Sequence, residues 1–73
     1  MEEKQFYNII GDRVSKEEHD ESMNLLLDLI NYGELLRVQH NSTYNYMQEY
    51  YKFDNKLFIA TKKGNDYIYI ERM

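Results

Sequence analysis

Two dipeptides, Asp54-Asn55 and Gly64-Asn65, do most to limit what this chain can fold into. Each separates two runs rich in β-branched and aromatic residues, and each is a two-residue hairpin signal; Gly64 accepts positive φ without steric cost. No proline breaks the runs on either side. The spacing predicts antiparallel strands at about 44–53, 56–63 and 66–71. The segment Leu35 to His40 either adds a short strand or simply leads in.

Two-residue loops dictate pairing. Tyr50 should face Ile59 and Tyr51 should face Phe58 across the first turn. Across the second, Lys62 should face Tyr67, Thr61 Ile68, Ala60 Tyr69, Ile59 Ile70 and Phe58 Glu71. Because successive side chains alternate, one face collects Leu57, Ile59, Ile68, Ile70, Tyr46 and Tyr50, the set expected beneath a helix. The other collects Met47, Tyr51, Phe53, Phe58, Tyr67 and Tyr69 among Glu49, Lys62 and Glu71. An apolar and aromatic patch rimmed by charge marks an interaction surface; cross-strand aromatic pairing is the plainer reading of the same residues.

The helix is written before the strands. Ser15-Lys16-Glu17-Glu18 has the capping-box pattern, the acids that follow complement the positive end of the helix dipole, and Gly33 is placed to stop the helix. The expected range is 16–32. On a helical wheel Asn24, Asp28 and Asn31 form a narrow polar stripe, whereas the apolar residues from Met23 to Tyr32 spread over roughly 220°. One sheet covers a narrower stripe than that. The outer flank, with Leu25, Leu29 and Tyr32, is therefore a candidate seam for a second copy. Near the N-terminus Phe6, Ile9 and Ile10 fall at helical spacing, so a short helix is preferred there over a strand.

With 73 residues and no cysteine, the chain forms one small domain whose thin core gains no help from disulfides or thiolate-bound metal, so dimerisation is the available staple. A net charge of −4 with 42% hydrophobic residues suits a folded soluble domain. Residues 1–34 hold nine acids against three bases, and residues 35–73 hold six bases against four acids. No apolar run is long enough to cross a bilayer, and the first ten residues are acidic where a signal peptide would be basic, so a cytoplasmic location is expected. In that compartment the sequon Asn41-Ser42-Thr43 goes unused.

The acidic capped helix ending in LLLDLINYG and the aromatic hairpins YYKFDNKLFIATKKGNDYIYI resemble the small YopT-type proteins of Bacillus prophages over essentially the whole chain. The resemblance implies a homodimer of one helix and three antiparallel strands, of phage or prophage origin, with no assigned activity and no functional residues to transfer.

The residues offer little for catalysis. There is no cysteine, no GxSxG, no HExxH and no glycine-rich phosphate loop, and His19 and His40 are too far apart in sequence to suggest a joint site. No enzyme activity, cofactor or metal is expected. Two nucleic-acid-directed alternatives remain. Sheet aromatics beside Lys52, Lys56, Lys62, Lys63 and Arg72 could stack single-stranded bases, although the net negative charge disfavours a polyanion. Conversely, Glu17, Glu18, Asp20, Glu21 and Asp28 could present a DNA-like acidic surface to a host protein. The expectation is thus an α+β domain, one long amphipathic helix on a three-stranded antiparallel meander, that acts by protein contact as a homodimer.

Overall fold

The computed structural model describes residues 4–73. Strand β1 (Phe6–Asn8) leads into helix α1 (Lys16–Tyr32), followed by β2 (Glu34–Asn41), β3 (Tyr46–Phe53), β4 (Lys56–Lys63) and β5 (Asp66–Arg72). All five strands form one antiparallel sheet in the order β1-β5-β4-β3-β2. The expected three-stranded meander is therefore corrected to five strands, with β2 added at one edge and β1 at the other. Because three antiparallel strands lie between them, β1 and β2 run parallel at opposite edges. The connection through α1 spans the width of the sheet.

The N-terminal segment is a strand, not the short helix its spacing predicts. Phe6, Tyr7 and Asn8 pair with Glu71, Ile70 and Tyr69, and the Ile9 amide donates to the Ile68 carbonyl at 2.8 Å. An isolated helix this short is marginal in water, whereas the open edge of β5 supplies backbone partners at once. Ile9 enters the core while Phe6 and Ile10 stay half-exposed, a split that helical spacing did not anticipate.

At the other edge, the segment after Gly33 is a full eight-residue strand. Its hairpin to β3 turns through residues 42–45, where the Asn41 side chain accepts from the amides of Thr43 at 3.1 Å and Tyr44 at 3.4 Å, and Asn45 takes φ 57°. Tyr44 thus sits in the turn and β3 begins at Tyr46.

The helix is capped by Ser15, whose hydroxyl accepts from the Glu18 amide at 3.1 Å. The His19 ring donates from Nδ1 to the Ile9 carbonyl at 2.7 Å, tying the first turn to the chain leaving β1. Gly33 ends the helix, as its position predicts, but not through the usual left-handed glycine cap. Its φ of −76° and ψ of 160° are extended, not left-handed. A Cβ there would lie 2.5 Å from the Leu29 carbonyl oxygen, so glycine serves a close approach.

The register of β3 on β4 places Tyr50 opposite Ile59 and Tyr51 opposite Phe58, yet the helix lies on the face opposite to the one expected. Leu26 and Leu29 pack with Tyr51, Phe58, Ala60, Ile70 and Ile9. Leu29 and Ala60 are both 0% exposed, the small alanine making room for the leucine. Burying a leucine of this kind contributes about 1.5–3 kcal/mol. Alternation could not select the face, because β4 is buried on both: Phe58 and Ala60 beneath the helix, Ile59 and Thr61 on the open side. In β5 a bulge intervenes. Lys62 pairs with Tyr67 but Thr61 pairs with Tyr69, so Ile68 is the extra residue. Beyond it the faces exchange, which sends Ile70 under the helix and Tyr69 to the open face.

Candidate functional site

The residues expected to form one contact surface are divided by the fold. Leu29, Tyr51 and Phe58 are core residues, with Tyr51 7% and Phe58 5% exposed. Leu25, Phe53 and Tyr67 are half-buried against the same cluster, Met47 is half-buried in β3, and Tyr69 lies on the open face. Tyr32 alone of the helix set is well exposed, at 76%. The stacking alternative needs Tyr51 and Phe58 accessible, and they are not. Of the acidic set, Glu17, Asp20 and Asp28 are exposed, while Lys4 Nζ lies 3.2 Å from Glu21 and 3.9 Å from Glu18, partly neutralising that surface.

Three features stand in place of the expected surface. The first is a polar cluster under the helix side of the sheet. One Glu49 carboxylate oxygen accepts from the Tyr67 hydroxyl at 2.6 Å and from the Tyr51 hydroxyl at 3.3 Å. Burial, then the bond and charge of Glu49, hold the Tyr67 phenol well above the usual tyrosine range; burial and the Glu49 charge also raise Tyr51. Both phenols are donors held neutral, so the cluster orders β3 against β5 and supplies no reactive phenolate.

The second is the free edge of β2. All eight of its residues are exposed, and among the described residues its outer backbone groups have no neighbouring strand. Leu35 and Val38, opposite Tyr51 and Glu49, project on the helix side, with Leu36 at a bulge between Leu35 and Arg37. These three apolar side chains are about half exposed, as are Leu27 and Ile30 in the last two turns of α1, which feed β2. An edge strand this long and apolar is a template for another strand. The ELLRV run is visible in sequence, but only the strand order shows it to be an edge.

The third is a cleft of about 320 Å³ on the open face, lined by Gln39, Asn41, Tyr46, Gln48, Thr61, Ile68 and Tyr69. Its floor is one cross-strand row, Gln39 opposite Gln48, Gln48 opposite Thr61, and Thr61 opposite Tyr69. Beside it Arg37 lies 4.5 Å from the centre of the Tyr50 ring and Lys63 5.6 Å from that of Tyr46.

Comparison with family models, with curated proteins and with solved structures finds no match. Among the described residues no three metal-ligating side chains converge, and no helix is long and apolar enough to cross a membrane.

Proposed function

We propose that the protein is a cytoplasmic interaction module that acts by contact, not catalysis, and that its first partner is a second copy of itself joined through β2. The observation that carries this is the eight-residue edge strand with no exposed residue covered. An antiparallel edge pairs with its own copy about a two-fold axis without any further fitting. In the register that sets Leu35 of one copy against Val38 of the other, four apolar side chains meet on the helix side, adjoining the exposed flank of Leu27 and Ile30. Glu34 and Arg37 give the strand one charge of each sign, so two copies do not repel. The result is a continuous ten-stranded sheet with both helices on one face.

Sedimentation equilibrium at micromolar concentration tests this. The expected mass is twice the 9.0 kDa of the chain, and Val38→Lys, a substitution edge strands tolerate, should return it to one chain with the fold intact by circular dichroism. A wild-type protein that sediments as one chain throughout would sink the proposal.

A further inference from the structure

The open-face cleft holds one polar atom that the fold leaves without a partner. Thr61 is 4% exposed, and its hydroxyl oxygen is buried with no hydrogen bond. A hydroxyl in that state opposes folding, and replacing it by a methyl would relieve the penalty. Thr61 lines the cleft floor, and a turn of its side chain toward the cleft would let an incoming ligand satisfy the oxygen.

The lining says what kind of ligand. Its seven side chains include no acid or base, and the neighbouring cations Arg37 and Lys63 lie over the Tyr50 and Tyr46 rings, so a cation entering would lose hydration without gaining a counter-charge. The walls are the rings of Tyr46 and Tyr69 with Ile68, which suit a flat apolar face. The bulge in β5 puts Ile68 and Tyr69 side by side here. The edge contacts are amides. Gln39 Oε1 accepts from Arg37 Nη2 at 3.2 Å and from the Tyr50 hydroxyl at 3.4 Å; since arginine can only donate, the amide orientation is set and Nε2 remains to donate into the cleft. Gln48 adds an amide with both a donor and an acceptor, the pairing such side chains use against base edges. The volume is at the small end of ligand sites, enough for one ring system and not a polymer.

We propose that this cleft binds a small uncharged ring bearing a hydrogen-bonding edge, of the nucleobase or nucleoside class, with Thr61, Gln39 and Gln48 as its polar contacts and Tyr46 and Tyr69 as its walls. The site lies on the face away from the helix, with Gln39 and Asn41 on β2 at its edge.

Titration of the ¹⁵N-labelled full chain with uridine and with adenosine, using methyl glucoside as the sugar control, tests it. A nucleoside should give saturable shifts at the Gln39 and Gln48 side-chain amides and at the Thr61 amide. Thr61→Val should keep or raise the melting temperature while weakening binding about fivefold. A purely structural threonine would not separate those two readouts. Gln39→Ala, at an exposed position, provides a second variant should Thr61→Val fail to fold; weakened binding in either variant supports the assignment. No saturable shift with either nucleoside, saturation by the glucoside alone, or undiminished binding in both variants overturns it.

Discussion

Glu49 collects two phenol hydroxyls on one carboxylate oxygen, and this makes the protein's response to alkali depend on a few atoms. In the unfolded chain a tyrosine ionises near pH 10; in the fold, burial and the adjacent carboxylate keep Tyr67 and Tyr51 protonated above that. The unfolded state therefore loses these protons first. The stabilisation is fully present below about pH 10 and is lost as pH rises from there through the raised folded values. Urea midpoints should be flat between about pH 8 and 9.5 and fall above 10. Tyr67→Phe should lower stability at neutral pH by about 1–2 kcal/mol, through loss of a charge-assisted bond, and should flatten the alkaline decline. An unchanged alkaline slope in that variant would remove Tyr67 from the explanation.

At the level of elements, Gly33 separates two ways of ending a helix. In a left-handed cap, asparagine replaces glycine with little loss; here any Cβ meets the Leu29 carbonyl oxygen at 2.5 Å. Gly33→Ala and Gly33→Asn should therefore both destabilise by about 1–3 kcal/mol in urea denaturation. A tolerated asparagine would point back to the left-handed cap. Elements with their own local chemistry were legible in the residues: Ser15 at the helix start, and two turns whose Asp54, Asn55 and Gly64 take φ of 53°, 60° and 61°. The edges were not. β1 has three residues and no period to read, and the bulge at Leu36 breaks the alternation that would have declared β2. The covered face of the sheet was equally hidden, since β4 is buried on both sides and the bulge at Ile68 reverses the last strand. The cleft shared this fate. Gln39 and Gln48 carry no signal singly; the β3–β4 register sets Gln48 against Thr61, but Gln39 joins them only through β2, a strand the sequence left open.

At the scale of the molecule, the described residues form a 17-residue helix on a five-stranded sheet, a body of 36 × 31 × 22 Å. One helix covers part of one face, and Leu27, Ile30, Leu35, Leu36 and Val38 remain half exposed. A chain this short has little stability to spare, so burying that strip against a second copy would contribute a large share of it. Folding would then be linked to concentration by mass action. A tenfold rise in protein concentration favours a dimer by about 1.4 kcal/mol, which for two chains of this size raises the melting temperature by about 3–6 °C. Scanning calorimetry between micromolar and tens of micromolar should show that shift for the wild type, and a lower, concentration-independent transition for Val38→Lys. Coincident wild-type transitions at every concentration would mean that the thin core and the uncovered edge stand alone, and that the exposed strip on β2 and α1 is not closed by self-association.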